Sequence, residues 1–75
     1  MIKISGTNTY IDVEINGRTV RIFGELIIGG FVCFKNSMKN WLVPDNQSLT
    51  EEEKEEIIRK VTEKTVGSNM IITFE

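Results

Sequence analysis

The chain has 75 residues, of which 40% are hydrophobic and 27% charged, with a formal net charge of −2. These values predict one folded domain over residues 1–75 and exclude disordered and collagen-like classes, and at this size only roughly 60% of the unfolded chain's surface is buried. The weak negative balance is the wrong sign for a protein that tracks phosphates by counterion release, so nucleic acid is disfavoured as a partner.

A single cysteine cannot form an internal disulfide, and no basic segment followed by an apolar one opens the chain. A cytoplasmic location is expected. The apolar runs are a few residues long, far short of the ~20 that a membrane-spanning helix needs.

Taken in order, Met1-Ile2-Lys3-Ile4 alternates and predicts a short first strand, with Ser5 to Asn8 as a polar turn behind it. Tyr10–Ile15, Asn16-Gly17 and Arg18–Phe23 form the clearest unit, because Asn-Gly suits a two-residue type I′ turn in which both central residues need positive φ. That turn places Val13 opposite Val20 and Ile11 opposite Ile22 on one face, with Asp12 opposite Arg21 and Tyr10 opposite Phe23 on the other. A slip of one residue would scramble both faces.

Gly29-Gly30 predicts a second tight turn. With that loop, Ile28 meets Phe31 and Leu26 meets Cys33 on the core side, while Ile27 meets Val32 and Glu25 meets Phe34 on the other. A second, semi-apolar face results, made of Tyr10, Phe23, Ile27, Val32 and Phe34, and something must cover it. Met38, Trp41 and Leu42 follow at helical spacing and offer an internal cover; a partner protein offers another. Pro44 to Ser48 reads as a connector.

Thr50-Glu51-Glu52-Glu53 is a capping box, so a helix starts there. Ile57, Ile58, Val61 and Thr65 supply a narrow apolar stripe. Glu55 with Arg59 and Glu56 with Lys60 are i,i+4 pairs, and Gly67 suits the position that stops the helix. Asn69 to Glu75 predicts a final strand whose place in the sheet is open. The expected architecture is α+β: a small antiparallel meander packed on one face by a single helix from the C-terminal half, followed by a last strand.

Few side chains point to chemistry. Histidine is absent, which removes the commonest general acid-base and metal ligand, so catalysis, a metal site and a cofactor are not expected. Cys33 reads as a small core residue. The carboxylates Asp45, Glu51, Glu52, Glu53, Glu55 and Glu56 either complement the helix dipole or offer an acidic surface to a basic partner; their spacing matches no calcium loop. Gly30 to Phe34 echoes half of an RNA-recognition strand motif, but Ile27-Ile28-Gly29 stands where a basic residue, a glycine and an aromatic belong. Trp41 reads either as core or as a binding anchor flanked by Lys35, Asn36, Lys39 and Asn40.

Gly24-Glu25-Leu26-Ile27-Ile28-Gly29-Gly30-Phe31-Val32, then Lys35-Asn36-Ser37 and Lys39-Asn40-Trp41, with the acidic helix start Leu49 to Lys54 and the ending Phe74-Glu75, resembles the small α+β immunity proteins of bacterial polymorphic toxin systems, in the family catalogued as immunity protein seventy-four. Matching positions are Glu25, Gly29, Gly30, Phe31, Lys35, Asn36 and Trp41; Val43-Pro44-Asp45 departs from the usual acidic or proline-rich segment. The resemblance implies a non-enzymatic protein that neutralises a cognate toxin. Trp41, Lys35, Asn36, Glu25 and Phe34 are then candidate contacts, with Glu52 and Glu55 facing a basic, nuclease-like toxin. A self-associating homodimer and a single-stranded RNA binder are the alternatives.

Overall fold

The computed structural model describes residues 2–43 and 47–75. Pro44, Asp45 and Asn46 of the predicted connector, and Met1 of the predicted first strand, lie outside the described residues. Five strands form one sheet in the order β1 to β5: β1 (Ile2–Gly6), β2 (Tyr10–Ile15), β3 (Arg18–Ile27), β4 (Gly30–Cys33) and β5 (Ile71–Phe74). The first four are consecutive antiparallel neighbours. The fifth lies beside β4 in parallel, reached through helix α1 (Glu51–Thr65), because a parallel pair needs a crossover rather than a hairpin. The fold is the expected α+β, with the last strand at the edge of a mixed sheet.

The β2–β3 register is the one that Asn16-Gly17 predicts, from Tyr10 opposite Phe23 to Ile15 opposite Arg18. Asn16 and Gly17 take φ of 52° and 79°, as a type I′ turn requires. The β3–β4 register differs from the expectation. Ile27 pairs with Gly30, Leu26 with Phe31, Glu25 with Val32 and Gly24 with Cys33, so the turn is Ile28-Gly29 rather than Gly29-Gly30. Gly29 alone takes the positive φ, and Ile28 stands at the hairpin tip with full exposure (104%) instead of entering the core.

The reason lies with β5. Gly30 is drawn into the strand opposite Ile71, where a Cβ would run into the Ile71 carbonyl oxygen, so this glycine serves close approach and not a turn. Because the shift changes each partner by two positions, it leaves the side chains that still pair on their expected faces, although Leu26, expected in the core, is 44% exposed at the sheet's end.

Alternation therefore holds across the sheet. Ile11, Val13, Ile15, Val20, Ile22, Phe31, Cys33 and Ile72 are buried on the inner face, under Ile57 and Val61 of α1. The helix begins with the predicted capping box: the Glu53 amide donates to Thr50 Oγ1 at 3.1 Å and the Thr50 amide to Glu53 Oε1 at 3.0 Å. It ends at Val66 with Gly67 at φ 79°. Glu56 pairs with Lys60 as expected, whereas Arg59 turns forward to Glu63 instead of back to Glu55.

Thr65, placed by spacing in the apolar stripe, is buried and does polar work. Its hydroxyl donates to the Val61 carbonyl at 3.1 Å and accepts the Ile72 amide at 3.2 Å, tying the helix end to the edge strand.

Candidate binding face

Trp41 is the first candidate the structure relocates. It is 5% exposed and sits in the core on the helix side of the sheet, together with Met38 and Leu49. No helical turn carries it: the local element is a three-residue 3-10 helix (Lys35–Ser37), after which Trp41 is held by its amide donating to the Gln47 carbonyl at 2.9 Å. The Arg18 guanidinium lies over the indole at 4.1 Å from the ring centroid and donates to Glu53 Oε2 at 2.7 Å and Gln47 Oε1 at 3.1 Å. The indole N–H reaches Glu53 Oε1 at 3.4 Å.

One carboxylate thus serves the helix cap, the tryptophan and the arginine at once. The Thr50 amide foremost, then Arg18 and Trp41, hold Glu53 below the ordinary carboxylate range. Of the two roles expected for Trp41, core or anchor, its burial fits the core one, but the expected cover of the outer face is corrected: Met38 and Trp41 pack beneath the sheet's inner face, while Leu42 and Val43 are exposed.

The outer face is consequently bare among the described residues. Phe23 is 49% exposed, Ile27 48%, Phe34 43% and Ile71 48%, with Val32 between them and half-buried. Strand pairing brings these together. Tyr10 is opposite Phe23, their rings 5.8 Å apart at 60°, Ile27 is opposite Gly30, and Gly30 is opposite Ile71.

Ser37 fixes the corner, accepting the Phe23 amide at 2.9 Å and donating to the Phe34 carbonyl at 2.8 Å, so the 3-10 helix is pinned to β3. The Lys35 amide donates to the Glu75 carbonyl at 2.7 Å, which sets exposed Lys35 and Asn36 beside Phe34. Glu25 stands within the patch, opposite Val32. At the other side, Arg21 grips Asp12 with two bonds of 2.8 and 3.0 Å and lies over the Tyr10 ring at 4.0 Å; the bond to Asp12 raises the arginine's already high pKa.

Of the seven candidate residues, Glu25 and Phe34 lie on this face, and exposed Lys35 and Asn36 follow Phe34 in the 3-10 helix. Glu52 and Glu55 do not join them: both are exposed on α1, which covers the opposite face of the sheet. Phe23, Ile27 and Ile71 complete the patch. The alternation of the sequence placed Phe23 and Ile27 on it, whereas Ile71 required knowing where β5 docks.

Little here suits other chemistry. Cys33 is buried and burial pushes its thiol up to about 12, so it is no nucleophile. Among the described residues there is no group of side chains that could hold a metal ion, and no helix is long and apolar enough to cross a membrane. Phe31, the partner of Phe34 in the RNA-motif echo, is buried in the core, so the two do not form one stacking surface. An open cleft of about 350 Å³ between the β1–β2 connection and β5 is mostly apolar, lined by Ile4, Ile11, Leu26, Phe31, Met70 and Ile72, with Ser5, Thr7 and Asn8 along its β1–β2 side.

The described residues thus form a sheet packed on one face by a helix, with a bare apolar patch on the other. The family model described as Immunity protein 74 matches residues 3–75, and the chain belongs to that family. Membership makes it an immunity protein of toxin systems, with a toxin as the implied partner. No curated protein and no solved structure matches the chain.

Proposed function

We propose that this chain is a non-catalytic cytoplasmic inhibitor that binds a cognate toxin of a polymorphic toxin system through the outer sheet face and neutralises it by occluding its active site or substrate groove. The observation that carries the reading is the uncovered patch of Phe23, Ile27, Phe34 and Ile71 in a member of an immunity-protein family. Half-exposed aromatics on a rigid sheet are suitable anchors, because they bring large area at low cost in side-chain entropy. Glu25, Lys35 and Asn36 supply rim hydrogen bonds.

Glu52 and Glu55 form no salt bridge among the described residues. Lying away from the patch, they act on encounter rather than contact, and they favour a basic toxin such as a nuclease.

The test is co-purification with the toxin-like product encoded beside this chain, followed by affinity measurement. Phe34→Glu is expected to weaken binding at least a hundredfold with the fold intact. Glu52→Lys with Glu55→Lys is expected to slow association at low salt and leave dissociation unchanged. Unchanged affinity of a folded Phe34→Glu variant refutes the face; failure of the neighbouring product to bind refutes the reading itself.

A further inference from the structure

The two edges of the sheet differ in what their backbones have left to bond. At the β5 edge, the Ile71 amide donates to the Gly29 carbonyl at 3.1 Å and the Glu75 amide to the Cys33 carbonyl at 2.8 Å, so the Ile72 and Phe74 amides turn away from β4. The Ile72 amide ends on Thr65 Oγ1 at 3.2 Å, and the end of α1 occupies that edge.

Among the described residues, β1 has no such cover. The Thr7 amide donates to the Tyr10 carbonyl at 2.8 Å, which sets the phase of the β1–β2 ladder. Facing residues in an antiparallel pair alternate between exchanging bonds and not. Lys3 and Ser5 therefore bond across to Glu14 and Asp12, while Ile2, Ile4 and Gly6 turn their N–H and C=O groups out of the sheet. The Gly24 amide on the Thr9 carbonyl at 3.0 Å agrees, since it gives the odd-numbered residues of β2 to β3.

Unpaired edge groups are a template for another strand, and proteins guard them with proline, bulges or charges. β1 reads IKISG, pairs without a bulge over its 5 residues and carries one lysine. Gly6 has no side chain to screen the edge and cannot acquire one, because a Cβ there would lie 2.5 Å from the Tyr10 carbonyl oxygen.

The flanking side chains define what fits. On the inner side, Ile2 and Ile4 are only half-buried against the core. On the outer side, Lys3 is exposed and makes no salt bridge among the described residues, although Glu14 stands opposite it. A residue added beside Lys3 falls in a non-hydrogen-bonded pair, where facing side chains come closest, so an acidic one is favoured there. β1 itself contains no acid, so the β1 of a second copy does not supply it.

We propose that β1 takes up an extended segment of the toxin as an additional strand, bonded through the outward groups of Ile2, Ile4 and Gly6, with an acidic side chain beside Lys3 and apolar ones beside Ile2 and Ile4. This rests on the reading that the chain binds a toxin, and adds a backbone site to the apolar face. At ~4.8 Å per strand, β1 is ~14 Å from β4, within the span of one interface.

Amide exchange read residue by residue tests the pairing, on the full chain alone and saturated with the toxin-like product encoded beside it. In the free chain the Ser5 and Thr7 amides are expected to be protected, and those of Ile4 and Gly6 to exchange quickly. In the complex the latter two slow by about a hundredfold, whereas Ile72, already bonded, changes little. A chain assembled by ligation at Cys33 with the Ile4 amide N-methylated keeps every side chain and loses one edge donor. It is expected to bind about tenfold more weakly with unchanged circular dichroism.

Ile4 and Gly6 amides that stay fast in a saturated complex overturn the strand pairing and leave toxin binding intact, as does a folded N-methylated chain that binds like the parent. If the N-methylated chain does not fold, exchange on the parent decides. Failure of the neighbouring product to bind refutes the functional reading and the pairing with it. Protection of Ile4 and Gly6 that grows with concentration in the free chain makes a second copy the occupant and overturns the assignment to the toxin.

Discussion

Thr65→Val isolates one hydrogen-bonded link at almost constant shape. The Thr65 hydroxyl is the acceptor for the Ile72 amide, which points away from β4 at the sheet's edge, and it is also bonded to the Val61 carbonyl. Valine fills the same volume but accepts nothing, so a buried amide loses its partner. Leaving such a donor unsatisfied costs ~1–3 kcal/mol, against which valine's apolar methyl returns a few tenths. A net loss of about 1–2 kcal/mol is a sizeable part of the ~5–15 kcal/mol that holds a domain together.

With a urea slope of ~1 kcal/mol/M for a chain this short, the midpoint should fall by roughly 1–2 M with no change of slope. Amide exchange localises the effect: the Ile72 amide should exchange faster in Thr65→Val and stay protected in Thr65→Ser, which keeps the oxygen. Since Ile71 projects from the same strand into the outer face, a loosened β5 should also weaken partner binding modestly. A Thr65→Val midpoint within ~0.3 M of the parent, with Ile72 still protected, would show that the hydroxyl is not what satisfies this amide.

Three further outcomes follow from particular contacts. Trp41→Ala should destabilise by ~3–5 kcal/mol, as large core truncations do, while Trp41→Phe should remain folded and bind the partner with parental affinity; a binding defect in a folded Trp41→Phe would return the indole to the interface. Gly24→Ala should lose more than ~2 kcal/mol, since a Cβ there runs into the Val32 carbonyl oxygen and comes within 2.6 Å of Phe31 Cε1, and chemical denaturation reads this directly.

Glu53 has a lowered folded pKa, set mainly by the Thr50 amide with help from Arg18 and Trp41. Its stabilising contribution is complete above the unfolded value of ~4.3 and is lost as pH falls through the lower folded one. Glu53→Gln should therefore flatten the acid limb of a stability profile and leave its neutral plateau sloping as before. A variant profile as steep as the parent's would mean that other carboxylates set the limb.

The parts legible in the amino-acid sequence are those governed by near neighbours. Asn16-Gly17 specified the β2–β3 register because a turn of two residues leaves no freedom in pairing, and Thr50 with Glu53 announced the helix because both halves of the cap lie within four residues. Side-chain alternation divided the strands into two faces, so Phe23, Ile27, Val32 and Phe34 were already on one side. The resemblance of Gly24 to Trp41 carried the family, which composition and spacing did not.

What only the tertiary structure decided involves elements distant along the chain. The docking of β5 beside β4 made Gly30 a strand residue and moved the turn to Ile28-Gly29, a choice that two adjacent glycines leave undetermined locally. Arg18, Trp41 and Glu53 come together only when the β2–β3 turn, the segment after the 3-10 helix and the start of α1 converge, and that convergence placed the indole in the core. Periodicity could mark Thr65 as inward-facing but not reveal that its hydroxyl would meet a strand seven residues later. With Trp41 taken inward, the outer face lost its internal cover. Local patterning built that face, and long-range packing left it open.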